Sequence, residues 1–193
     1  LRFCYSVKEQ SSPSFGPVIR AAPDVGLLLE FGVASGGTFN QICHHSAPRK
    51  VYGFDWFYGL PEYWNDDNPR GKFSTHGNVP SVQSNGEIVV GLIEETLEEF
   101  LSKHEGPVAF AHLDLDLYSS TKHALDLLAP RCLDGTVLLF DEIVGNPDHE
   151  ERAFLEFLDE NGLDFEFVTR RSRDAIAFRI YGRTQTTLDD QSA

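Results

Sequence analysis

The segment FAHLDLDLY, residues 110–118, carries Asp114 and Asp116 at the end of an apolar run, where a carboxylate buried without a partner is costly. A second apolar run, GTVLLFDE, also ends in acids, Asp141 and Glu142. If the two runs are neighbouring strands, about 4.8 Å apart, then Asp114, Asp141 and Glu142 can share one cation. Oxygen donors with no cysteine and no obvious histidine partner select a hard ion, Mg2+ first, then Mn2+ or Ca2+. Asp116 lies two residues past Asp114 and faces the same side if the chain stays extended. It then has three uses open to it: metal ligand, proton acceptor, or cap of the helix that starts near Ser119. The plainer reading of all these acids is helix capping at strand-to-helix turns.

Another set of residues suits a different task. The run LLLEFGVASGGTF places Gly32, Gly36 and Gly37 where a strand ends, so the backbone can turn sharply and approach a ligand, with Thr38 placed to cap the next helix. Asp55 follows at the tip of VYGFD, where a carboxylate can accept both hydroxyls of a ribose. The pair suggests a nucleoside-containing cofactor. Because the loop reads GxxxGG rather than GxGxxG, and no GxxxxGK[ST] occurs, pyrophosphate and triphosphate readers are disfavoured. The simpler alternative is a tight turn with Asp55 capping a helix.

These residues need strands that end side by side. Short apolar runs alternate with helix-like stretches, the mark of βαβ units and a parallel sheet covered on both faces. Strands are expected at 27–33, 51–55, 87–91, 108–114 and 135–141, with helices at 94–103 and 119–129, the second capped by Ser119 or Ser120. The stretch HEERAFLEFLDENG reads as an amphipathic helix stopped at Asn161-Gly162. LDFEFVTR and DAIAFRIYG follow without a helix between them, which predicts an antiparallel pair closing the sheet. Residues 58–86, rich in Gly, Pro, Asn and Trp, are too long for a simple connection and form a candidate substrate loop. The organisation expected is an N-terminal arm or partial lid at 1–26, one domain at 27–183, and a polar, disordered tail at 184–193.

Composition bounds the rest. A chain of 193 residues with 41% apolar and 24% charged residues fits one soluble domain, and no apolar run approaches the roughly 18 residues of a membrane span. The formal charge of -14 repels polyphosphates, so nucleic acid is a poor partner and no membrane association is expected. Cys4, Cys43 and Cys132 are odd in number and outside any CxxC pattern, which fits a reducing cytoplasm. The sequence starts at Leu1 and has no Met, so targeting stays open.

In order, LLLEFGVASGGT, VYGFDWFYGLPE, VVGLIEETLEEFL, HLDLDLYSST and GTVLLFDE resemble the successive motifs of the macrocin O-methyltransferase group of class I S-adenosylmethionine-dependent methyltransferases, across about residues 27–160. The resemblance implies an α/β, Rossmann-like fold: a seven-stranded, mostly parallel sheet with one antiparallel strand and helices on both faces. It implies that Glu30, Gly32, Ala34, Gly36 and Gly37 surround the methionine part of S-adenosylmethionine. Asp55 would hold the ribose, Trp56 would flank the adenosine, Gly91 and Leu92 would lie near adenine, and Asp114 would border the cofactor. Metal-dependent members use acids at these strand ends, which carries the metal role to Asp114, Asp141 and Glu142. Two departures stand out: Leu115 where the family has glycine, and Asp-Glu where it has Asp-Asp. Sugar-modifying relatives also carry a longer region ahead of the first strand.

The function expected is metal-assisted O-methylation of a hydroxyl on a small molecule: a sugar, natural product or phenol. Asp114 is the first choice of base, with Asp116 as a second catalytic acid and His112, His123 and His149 as alternatives. His44 and His45 read as surface or packing residues, whereas Trp56, Tyr58, Tyr63 and Trp64 are candidates for an aromatic acceptor pocket. Two other readings are a metal-independent methyltransferase acting on another atom and a non-catalytic cofactor-binding protein of the same fold. A homodimer is also left open.

Overall fold

Asp55 decides where the first strand stops. The amides of Val33 and Ala34, which would continue the ladder, donate instead to its carboxylate, and β1 runs over Leu27–Phe31 rather than to residue 33. The computed structural model describes residues 13–144 and 147–182, and the expected tail at 184–193 lies outside them. In chain order the elements are α1 (Gly16–Ala21), β1, α2 (Gly37–Ser46), β2 (Val51–Asp55), β3 (Gly86–Val90) and α3 (Ile93–Lys103). They continue with β4 (Val108–Leu113), α4 (Tyr118–Leu128), β5 (Cys132–Phe140), α5 (Glu150–Asn161), β6 (Asp164–Arg170) and β7 (Ile176–Tyr181).

The sheet has seven strands in the order β3-β2-β1-β4-β5-β7-β6. β1 pairs in parallel with β2 and β4, and β4 with β5, while β7 runs antiparallel to both of its neighbours. Strand order reverses between β1 and β4, the place where open α/β sheets bind ligands.

Alternation along the strands supplies two cores. On one face Leu29, Phe31, Phe54, Ala111, Leu138 and Phe140 pack with residues of α3, α4 and α5. On the other, Leu28, Phe110, Val137 and Leu139 pack with Phe15, Val18, Phe39 and Ile42 around α1 and α2. Full burial of a side chain of this size contributes about 1.5–3 kcal/mol. The part of the expected arm at residues 13–26 belongs to this second core, since Phe15 and Val18 there are fully buried.

α3 shows the local logic. Ile93, Leu97, Phe100 and Leu101 recur on one buried stripe, with Glu94 and Glu95 in the first turn and Lys103 in the last, matching the helix dipole. α5 ends as expected, at Gly162 in the left-handed conformation. The expected caps do not form. Thr38 lies inside α2, whose N-cap is Gly36, and α4 has Leu117 as its N-cap with no side-chain cap, so Asp116, Ser119 and Ser120 are used elsewhere. Among the described residues no helix is long and apolar enough to cross a membrane.

Candidate active site

A cleft of about 310 Å³ opens beyond the C-terminal ends of β1, β2, β4 and β5, within the size range of small-molecule sites. Gly32 forms its floor, with φ 88°. A Cβ there would sit 2.0 Å from the Asp114 carbonyl oxygen, so only glycine lets the β1 and β4 ends meet. Asp55 holds this turn closed: Oδ2 accepts from Val33 N (2.9 Å) and Ala34 N (2.7 Å), and Oδ1 from Phe57 N (2.6 Å). A carboxylate has about four acceptor sites, so one remains for a ligand hydroxyl rather than the two a full ribose clasp needs.

The acids converge as their strand positions dictate. Asp114 N bonds Phe31 O (2.9 Å) and Asp141 N bonds Leu113 O (3.0 Å), which extends the sheet by one residue at each end and puts both carboxylates in the cleft. Asp116 also lines it, but the chain is not extended there. Leu117 N bonds Leu115 O (2.6 Å) in a three-residue turn centred on Asp116 at φ 61°, a left-handed conformation that Asp tolerates better than most residues. Backbone strain of this kind costs on the order of 1–3 kcal/mol and gathers at functional sites.

Beneath the cleft, His112 and Glu30 are fully buried, with Nδ1 of the imidazole 2.8 Å from Glu30 Oε1. His112, Asp114 and Asp141 each offer a ligand atom within 4.8 Å of the others. Glu142 lines the same cleft outside that compact group, and its amide donates to Oε2 of the buried Glu150 (3.0 Å).

Burial sets the electrostatics. It raises the Asp114 carboxyl to about 8, helped by Asp141, Asp116 and Glu30 against the pull of His112. Asp116 rises to about 7 through burial and the charges of Glu142 and Asp141. Burial would also raise Asp141, but pairing with His112 and Arg171 outweighs it and brings the carboxyl to about 2. For His112, burial is likewise overcome, by Asp141 and Glu30, and the imidazole rises to about 10. Glu150 is raised well above the usual range, chiefly by burial.

A sequence model described as a methyltransferase domain matches residues 29–143. The chain belongs to that family. It is a class I S-adenosylmethionine-dependent methyltransferase, and solved structures agree with the fold. CalS11, a TDP-rhamnose 3'-O-methyltransferase of calicheamicin biosynthesis, is 25% identical over 84% of this chain and 75% of its own, with a TM-score of 0.60. The O-methyltransferase NovP is 22% identical over 88% of this chain and 76% of its own, at 0.62. An O-methyltransferase from Bacillus cereus, solved with S-adenosylhomocysteine, is 13% identical over 90% of this chain and 83% of its own, at 0.53. No curated protein matches the sequence.

In the methyltransferase cleft the residues expected from sequence separate into two groups. Gly32, Ala34, Asp55, Trp56, Gly91 and Leu92 line it from the glycine turn and the ends of β2 and β3, and Asp114, Asp116, Asp141 and Glu142 from the ends of β4 and β5. Glu30, Gly36 and Gly37 do not line it: Glu30 is turned to His112, and Gly36 packs near Pro80. Of the four aromatics expected around the acceptor, only Trp56 lines the cleft, while Tyr58 and Tyr63 are exposed and Trp64 meets His149 edge-on. Phe73 lines it instead, together with Gly59, Leu60 and Pro61 of the candidate substrate loop, which Ser119 Oγ ties down through Glu62 (2.5 Å). Glu94 and Ser120 are further lining residues, hydrogen-bonded at 3.0 Å. No periodic pattern marks Phe73 or Ser120 as lining residues; the shape of the loop and the α3–α4 contact bring them in. His112 is buried behind the lining, and His123 and His149 also lie outside it.

Proposed function

We propose that this methyltransferase transfers the methyl group of S-adenosylmethionine to a hydroxyl oxygen of a small molecule, assisted by a divalent cation, as in the macrocin O-methyltransferase-like group. The observation that carries the reading is convergence: four acids from two neighbouring strand ends share one cleft with the glycine turn. The likeness to CalS11, a TDP-rhamnose 3'-O-methyltransferase, supports an oxygen nucleophile.

The donor set suits the ion. Asp114, Asp141 and Glu142 offer hard oxygens, and Asp114 and Asp141 meet within one ion's reach. Bound there, a divalent cation would supply Lewis acidity that makes a hydroxyl easier to deprotonate. S-adenosylmethionine supplies a methyl carbon on a sulfonium, which requires in-line approach of the nucleophile.

The chain's own residues do the remainder. Asp116, freed from capping and aimed into the cleft by its left-handed turn, accepts the hydroxyl proton, and a carboxyl near 7 is matched to that task at neutral pH. Asp114, packed deeper against the Gly32 turn, links the acid end of the cleft to the cofactor end. Trp56, Leu60 and Phe73 line the cleft with apolar surface and displace water from the reacting atoms.

The test is methyl transfer from radiolabelled S-adenosylmethionine across a panel of sugars, phenols and hydroxylated natural products, with EDTA and with Mg2+ restored. Labelled product lost in EDTA and regained with Mg2+ is expected. Product indifferent to EDTA removes the ion from the mechanism, and cofactor binding without product on any acceptor removes the catalysis.

A further inference from the structure

We propose that Glu30 and His112 are positioning residues for the cation site: Glu30 fixes the imidazole of His112, and His112 fixes the carboxylate of Asp141. The inference rests on the metal-assisted reading above and assigns work to two residues that do not line the cleft.

The placement follows from register. Glu30 on β1 is the direct neighbour of His112 on β4, and His112 that of Leu139 on β5, so Asp141, two residues on, continues the row on the same face. Glu30 Oε1 holds Nδ1 at 2.8 Å, leaving Nε2 aimed at the acids, 3.7 Å from Asp141 Oδ1 and with no hydrogen-bond partner of its own. The same oxygen accepts from Arg171 Nη2 at 2.7 Å. Arg171 and His112 are themselves braced on Phe15, whose ring lies 4.7 Å from the guanidinium and 5.3 Å, edge to face, from the imidazole. Asp141 Oδ1 is thus hydrogen-bonded by Arg171 and faced at 3.7 Å by the His112 imidazole while its carboxylate lines the cleft.

Stability alone does not account for this row. A buried ion pair often contributes no more than an apolar replacement of the same shape, so burying Glu30 and His112 completely needs another use. Fixing a ligand's orientation is such a use: carboxylate-to-imidazole contacts behind metal sites set the geometry of the groups in front, and losing one lowers metal affinity about 10–100-fold. Glu30 also stands two residues before Gly32, so the row starts where the cofactor turn begins.

The experiment titrates Mn2+ into the full chain, reading free ion by electron paramagnetic resonance, for the wild type, Glu30→Gln, His112→Asn and the double variant. S-adenosylhomocysteine affinity is measured in parallel by calorimetry in EDTA. Mn2+ affinity is expected to fall about 10–100-fold in each single variant. The double variant should be no weaker than His112→Asn, because Glu30 acts through the imidazole, and S-adenosylhomocysteine affinity should be unchanged. Glu30→Gln keeps the shape of the side chain and carries the test by itself if His112→Asn does not fold. Unchanged Mn2+ affinity in the variants overturns the proposal, as does lost S-adenosylhomocysteine affinity with Mn2+ binding intact, which would return Glu30 to the cofactor. A directly bonded nitrogen in the pulsed spectrum of bound Mn2+ also overturns it, by making His112 a ligand. A wild type that binds no Mn2+ defeats the metal reading itself.

Discussion

Replacing Asp55 by Asn asks whether a single carboxylate builds the glycine turn. Asp55 accepts three backbone N–H groups, two on Oδ2 and one on Oδ1. Asn retains one acceptor oxygen, so with that oxygen on Val33 and Ala34 its NH2 faces the Phe57 N–H, donor against donor. One charge-assisted bond, about 1.5–3 kcal/mol, is lost, and the other two weaken to neutral strength. The sum is about 3.5–6 kcal/mol, a large share of the roughly 5–15 kcal/mol that holds a domain folded. Asp55→Ala removes all three bonds and should cost about 4.5–9 kcal/mol. Urea unfolding followed by circular dichroism reads both, and calorimetry should show S-adenosylhomocysteine affinity falling in step as the turn opens. If Asp55→Asn unfolds at the wild-type urea midpoint and yet loses the ligand, Asp55 acts on the cofactor only and the reasoning is refuted.

Gly32→Ala places a Cβ 2.0 Å from the Asp114 carbonyl at φ 88°, so a loss of about 2–5 kcal/mol is expected in the same unfolding assay; a midpoint equal to wild type would show that the strand ends part freely. Asp116→Asn resembles the protonated acid and should hold or improve stability while turnover at saturating cofactor falls about 10²–10⁴-fold; turnover within tenfold of wild type would remove Asp116 as the base. In EDTA, stability should fall between pH 5.5 and 8. Asp116 and Asp114 are raised to about 7 and about 8 from 3.8, so over this window the folded chain keeps protons that the unfolded chain has released. His112, raised to about 10, adds a loss above its unfolded value of 6.5, whereas Asp141, lowered to about 2, acts with the opposite sign only below about pH 4. A urea midpoint that climbs from pH 5.5 to 8 would contradict this.

Much of the fold is legible along the chain because its signals are local. Apolar runs bounded by glycine and acid place β2 at 51–55 to the residue, and the absence of a helix between the last two strands gives the antiparallel β7. The ends of elements are less legible where a distant group intervenes, as when Asp55 takes the amides that would lengthen β1. The helix caps escape a local reading for the same reason: Ser119 and Ser120 bond to Glu62 and Glu94, partners 57 and 26 residues away.

The sequence by itself determined which residue types stand at the strand ends, since strand period and the glycine turn are short-range properties of the backbone. Tertiary structure alone decided which of them share a space. Asp114 and Asp141 meet because β4 and β5 are neighbours in register, while Glu30, on the same face but two residues before Gly32, stays inside the protein against His112 instead of reaching the cleft. Charge, too, was settled only there. The same aspartate side chain sits near 2 beside Arg171 and His112 and near 8 at Asp114, where fewer countercharges oppose burial, because desolvation and the nearest cation, not residue type, fix where a buried carboxyl titrates.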